Sequence, residues 1–135
     1  MPDKFVNEIK NNLLPGKALL VNGPYGNAKF ERVTLAIKAA GLKQYTCHLS
    51  IWHELLGYSL SKWAKEMPGN GVMVFDYLTN PPPDKVEFIL TQMKNPDRII
   101  VLTGKSCPFV IASRCAKIIT ISTEDHLKAF FNVKE

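Results

Sequence analysis

Cysteine is scarce in this 135-residue chain: Cys47, Cys107 and Cys115 are odd in number and widely separated. That spacing offers neither a disulfide framework nor a C-x-x-C metal site. Long apolar runs are also missing, and none approaches the roughly 20 residues that a membrane-spanning helix needs. The start, Met1-Pro-Asp-Lys-Phe5, lacks the apolar stretch of a secretory signal. There is no internal repeat and no low-complexity tract. Charge of one sign is not massed either. The 17 Lys and Arg outnumber the 12 Asp and Glu for a net charge of +5, yet the basic residues are spread along the chain. Contact with nucleic acid is compatible with this balance without being implied by it. The expected compartment is the cytoplasm.

A hydrophobic content of 46% with 21% charged residues suits an ordinary globular protein, and the length suits a single domain spanning residues 1–135. An opening helix is expected over 3–12, with Asp3 as N-cap and Phe5, Ile9 and Leu13 on one face. A buried strand follows at 17–22, then a glycine-containing loop, then helical spacing through Val33, Ile37 and Ala40 that ends at Gly41. A short strand is expected at 45–49 and a helix near 53–65, with Leu56, Leu60 and Trp63 at helical intervals. The run Val72-Met-Val-Phe75 reads as a parallel strand covered on both faces. Pro68-Gly-Asn-Gly71 and Pro81-Pro-Pro83 are loops. The pattern then predicts a helix over 84–95, a strand over 99–102, a short helix over 108–114, a strand over 117–121 and a closing helix over 123–131 capped by Thr123. Five strands alternating with helices imply an α/β layered fold with a mostly parallel sheet and helices on both faces. Ligands in such sheets bind outside the carboxyl ends of the strands. The loop after the first strand, Asp76, Thr103 and the segment before Arg114 are expected there.

The loop Gly23-Pro-Tyr-Gly26-Asn-Ala-Lys29-Phe30 has the frame of a phosphate-binding loop. A working loop reads G-x-x-x-x-G-K-S/T: its backbone N–H groups cradle phosphates, its Lys reaches the outer ones and its hydroxyl holds Mg²⁺. Gly23 and Lys29 keep the spacing. Ala28 replaces the second Gly, restricting the positive-φ freedom that Gly would supply, and Phe30 replaces the hydroxyl. A tight strand-to-helix turn without a ligand is the plain alternative, although N–H groups at a helix start attract anions without any hydroxyl.

Asp76, ending its apolar run, is the type of carboxylate that orients Mg²⁺ beside such loops; a strand-end Asp opening a turn is the alternative. The next residue is Tyr77, a poor base near neutral pH. Thr103 sits where a polar side chain would sense a γ-phosphate, or is simply a strand-terminal Thr. In Ser113-Arg114-Cys115 the Arg is either a surface charge or a finger reaching a neighbour's phosphate. Cys47 and His48 point to opposite faces of a strand and do not chelate together. His53 and His126 have no evident partner in the sequence, and Trp52 and Trp63 are expected as packing residues rather than base-stacking platforms.

Together these residues resemble the clamp-loader branch of the AAA+ ATPases. Gly23-Pro-Tyr-Gly-Asn-Ala-Lys29 is similar to that family's G-P-x-G-x-G-K loop, Val72-Met-Val-Phe-Asp76 to its Walker B strand, and Ile111-Ala-Ser-Arg-Cys115 to its S-R-C motif, which carries the arginine finger. Thr103 falls at the sensor strand. The resemblance implies a three-layer P-loop NTPase-like fold with the loop strand central. It also implies a vestigial nucleotide site at Gly23, Pro24, Gly26, Lys29, Asp76 and Thr103, with Arg114 acting in trans. The matching pattern is the delta-prime type of subunit, a DNA polymerase III component with a defective nucleotide site that completes a neighbour's site during loading of a sliding clamp on DNA. No cofactor is expected, ATP and Mg²⁺ being doubtful, and the expected partners are other loader or replication proteins. The family's zinc insert, helical lid and collar have no counterpart in these residues, so the resemblance leads one to expect either a fragment or a minimal relative. Two other readings stay open: an active P-loop NTPase with an unusual loop, and a small basic DNA-associated protein with a vestigial nucleotide fold.

Overall fold

Asp3 starts the first helix as its sequence suggests. With extended backbone, its Oδ1 accepts the Phe5 N–H at 2.8 Å, satisfying one of the donors that a helix start leaves open. The computed structural model describes residues 3–24, 27–48 and 57–131. Tyr25, Gly26, Trp52, His53 and the expected helical stretch 53–56 lie outside the described residues.

In chain order the elements are α1 (Lys4–Asn11), β1 (Leu19–Asn22), α2 (Lys29–Ala39), β2 (Lys43–His48), α3 (Gly57–Lys65), β3 (Gly71–Thr79), α4 (Pro83–Met93), β4 (Ile99–Ser106), α5 (Phe109–Ala112), β5 (Lys117–Thr120) and α6 (Thr123–Phe131). The five strands form one sheet in the order β2-β3-β4-β1-β5, and every pairing is parallel. The middle strand is therefore β4. The loop strand β1 is interior, flanked by β4 and β5. β3 and β4 run four residues beyond the expected strands 72–75 and 99–102. A register irregularity between Phe75 and Leu78 lets the two stay paired past Asp76.

Alternation along each strand builds two cores. Leu19, Val21, Val72, Val74, Val101 and Ile119 meet Phe5, Ile9, Val33 and Ile37 from α1 and α2. Leu20, Met73, Phe75, Ile100 and Leu102 face the opposite way, against Leu60, Ile89 and Ile111 from α3, α4 and α5. Three layers result, with near-continuous apolar runs in the interior strands because both faces are covered. Trp63 is a packing residue as expected: its ring stacks on Tyr45 at 4.7 Å and tilts against Phe75 at 5.9 Å. All three thiols pack against the core on this second face. Burial pushes Cys47 and Cys115 up to about 12 and Cys107 up to about 11, so they stay protonated at neutral pH.

β1 leads into a helix on one face and β4 into a helix on the other. In an open parallel sheet that divergence opens a crevice at the strands' carboxyl ends, the end at which β1 leads into Gly23.

Candidate functional site

The loop begins at Gly23, whose N–H donates to the Gly104 carbonyl at 3.1 Å. Gly23 has φ +153°, and a Cβ added there would collide with the Ile121 carbonyl oxygen. Only glycine fits. Asn27 is buried, and its side-chain amide donates to that same Ile121 carbonyl. At Ala28 the sequence expectation needs correction. The residue adopts φ 54° and ψ 34°, left-handed in spite of its Cβ, with no side-chain cap for α2. The interactions holding Asn27 and Lys29 impose this conformation. Ala28→Gly is therefore expected to stabilise the protein by about 1 kcal/mol, since a left-handed L-residue costs roughly 1–2 kcal/mol and glycine returns part of that as unfolded-state entropy. A denaturant midpoint that falls on this substitution would contradict the assignment.

Lys29 is buried, and its Nζ donates to the Pro24 carbonyl within its own loop. Burial lowers its pKa, and the nearby Asp76 and Glu31 charges work in the opposite direction. Asp76 is a direct partner of His48 in the β2–β3 ladder. Phe75 pairs with Leu102, so Asp76 and Thr103 lie one step further along adjacent strands and share a face. The side chains bear this out. The Thr103 hydroxyl donates to Asp76 Oδ1 at 2.6 Å, and His48 Nδ1 lies 3.1 Å from Asp76 Oδ2. A carboxylate only accepts, so the Nδ1 of His48 carries the hydrogen. Thr103 is fully buried, the Asp76 side chain is 17% exposed, and the His48 side chain is 43% exposed. Phe30 packs against the α1–α2 core, its ring 5.1 Å from that of His48. The backbone of Tyr77 lies in β3 at the irregularity. Among the described residues no group of three or more His, Cys, Asp or Glu is placed to hold a metal ion.

A second cluster underlies the loop. Arg32 is buried; its Nε donates to Asp3 Oδ2 at 2.9 Å, and its Nη1 donates to the Asn27 carbonyl at 2.6 Å and to His126 Nδ1 at 2.8 Å. His126 thus has a partner that its sequence context did not reveal. Because a guanidinium only donates, Nδ1 of His126 accepts and the ring is neutral with its hydrogen on Nε2. Burial and the Arg32 charge hold its pKa below the ordinary 6.5, against weaker opposing effects of Asp3 and Glu31. A lowered folded-state value means the unfolded chain takes up the proton first. Stability is then lost as pH falls below about 6.5, with a slope no steeper than one proton, about 1.4 kcal/mol per pH unit. His126→Asn, which keeps an acceptor near Nδ1, should remove this component of the slope in urea melts between pH 7 and 5.

Arg114 requires a second correction. The segment before it leaves the carboxyl end of β4, but α5 brings the chain back, and the Ala116 N–H donates to the Ala18 carbonyl beside the start of β1 at 2.9 Å. Arg114 therefore stands at the amino ends of the strands, remote from its own loop. It is exposed, and its side chain makes no ion pair among the described residues. The structure brings Pro24, Lys29, Asp76 and Thr103 to one end of the sheet and sets Arg114 at the other. Sequence reasoning missed His48, Arg32 and Asn27. A polar residue at the end of β2 was the only available sign of the first, and strand pairing was needed to read it.

The fold and site define a three-layer α/β domain with a five-stranded, all-parallel sheet. Neither a protein-family model nor a curated protein matches the sequence. Among solved structures, Saccharomyces cerevisiae RIF2 is similar over 97% of this chain and 61% of its own, with a TM-score of 0.60 and 10% identity. A chain of the Escherichia coli MS115-1 HORMA:CdnC:Trip13 complex is similar over 86% of this chain and 54% of its own, with a TM-score of 0.55 and 13% identity. The likeness is one of fold, and this chain spans less than two thirds of either relative. No helix among the described residues is long and apolar enough to cross a membrane.

Proposed function

We propose that this chain is a clamp-loader-like AAA+ subunit of the delta-prime type, largely inactive as an ATPase, which serves DNA replication or repair by presenting Arg114 to a partner's nucleotide. The observation that carries the reading is the contrast between the two ends of the sheet. At the carboxyl end, Asp76 is bonded to Thr103 and His48, and Lys29 to the Pro24 carbonyl. At the amino end Arg114 faces solvent, and Phe109 and Val110 of the preceding α5 are exposed as well. An arginine so far from its own loop has no role in cis, and a guanidinium at a subunit edge is suited to a neighbour's phosphates. The S-R-C and G-P-x-G resemblances, in order along one parallel sheet, supply the class.

Two measurements test the reading. Affinity capture from the native host should recover sliding-clamp or loader subunits, and their absence in favour of unrelated proteins counts against it. The isolated chain should show no ATP turnover near the 1 s⁻¹ at the low end of ordinary enzymes. Phe30 supplies no oxygen for Mg²⁺, and Tyr77 stands where a catalytic Glu is expected. Turnover of about 1 s⁻¹ or more that disappears in Lys29→Ala would make the chain an active NTPase instead.

A further inference from the structure

We infer that His48 acts as a built-in occupant of the cation position at Asp76, so that the cleft excludes a metal-bound nucleotide by an internal contact and not merely by a missing ligand. The inference rests on the proposed descent from a nucleotide site. Mg²⁺ demands near-octahedral oxygen coordination at about 2.0–2.1 Å and gives up water reluctantly. The residues present do not fit it. Asp76 Oδ1 accepts from the buried Thr103 hydroxyl, and Asp76 Oδ2 faces the His48 Nδ1 hydrogen at 3.1 Å between heavy atoms. That N–H places its positive end where a cation would approach Oδ2. Phe30 opens α2 without an oxygen and lies with its ring 5.1 Å from the imidazole, tilted by 53°, which limits how far His48 swings away from the carboxylate. His48 and Asp76 are also direct ladder partners, so their side chains leave adjacent strands on the same face.

Removing the occupant should uncover what it covers. Full-length wild type, His48→Ala, His48→Ala/Phe30→Thr, and that double variant with Asp76→Asn would be titrated with Mn²⁺ in the presence of ATP, following water-proton relaxation. Wild type should bind no Mn²⁺–ATP. The double variant should gain affinity by on the order of tenfold or more, the size of effect seen when groups around a metal site are altered, and Asp76→Asn should abolish the gain. A thermal melt of each variant separates lost binding from lost folding. A double variant that melts cooperatively and still binds no better than wild type overturns the inference. Independently of any variant, the ring ¹⁵N resonances of wild-type His48 should show a protonated Nδ1 and stay sharp on adding Mn²⁺–ATP; broadening would show that the metal reaches Asp76 with His48 in place. None of these readouts involves Arg114. Failure here leaves the partner-directed role standing, and failure of that role leaves the His48 contact standing.

Discussion

Arg114→Ala is expected to lower the ATPase activity of the proposed partner by roughly 10³- to 10⁵-fold, the range for arginines donated in trans to phosphoryl transfer. The fold should be untouched. Arg114 is exposed, follows the end of the short α5 and makes no ion pair among the described residues, so truncating it removes no buried contact. Surface substitutions of this kind usually change stability by less than about 0.5 kcal/mol. Arg114→Lys should not restore activity, because a point-charge ammonium lacks the planar fork that meets two phosphate oxygens. The assay is steady-state hydrolysis by the captured partner complex, with an Arg114 variant replacing the wild-type chain. An unchanged rate in a complex that still assembles would make Ser113-Arg114-Cys115 an ordinary surface turn. The neighbouring Phe109, 83% exposed, offers a control: Phe109→Ala should weaken assembly more than it slows the assembled enzyme.

The second large effect lies in the fold. Arg32→Met should destabilise the protein by about 3–5 kcal/mol, the usual cost of breaking a buried ion pair from one side. It keeps most of the apolar stem but removes the guanidinium, whose Cζ lies 5.2 Å from the Phe5 ring centroid. It leaves the Asp3 carboxylate, only 7% exposed, without its cation, and strips the donors from the Asn27 carbonyl and from His126 Nδ1. α1, the loop, α2 and α6 meet through this one guanidinium, so the loss should appear as a single cooperative transition at lower denaturant. In a domain of this size it corresponds to a fall in Tm on the order of 10–20 °C. Asp3→Asn keeps an N-cap for Phe5 while removing the charge, and should cost less. Combined with Arg32→Met it should add little further, since both changes remove the same pair. A fully additive double variant would mean that Arg32 acts mainly through Asn27 and His126.

Which elements form was legible because the signals are local. Asp3 with Phe5 and Ile9, the glycine turn before α2 and the apolar runs in β1, β3 and β4 lie within a few residues of one another, where helical and strand periods operate. A mostly parallel sheet followed from alternating strands and helices, and the structure makes every pairing parallel. Limits of elements were less legible: β3 and β4 extend past Asp76 and Thr103 because each supplies a partner to the other beyond the apolar run. Ala28 shows the same override in one residue. Its side chain disfavours a left-handed conformation, and contacts made by Asn27 and Lys29 impose it.

The sequence by itself determined the alternation of strands and helices, the place of the loop after β1, and the residue types at Lys29, Phe30, Asp76 and Arg114. Only the tertiary structure decided strand order, and with it which side chains meet. Strand order sets β2 beside β3 and β4 between β3 and β1, bringing His48 and Thr103 to Asp76 across 28 and 27 residues of chain. Arg32 reaches His126 across 94 residues, and the return of α5 places Arg114 at the end of the sheet opposite the loop. Side-chain periodicity specifies the face on which a residue lies. The neighbour across that face depends on how the crossovers close, a cooperative outcome of packing two cores at once.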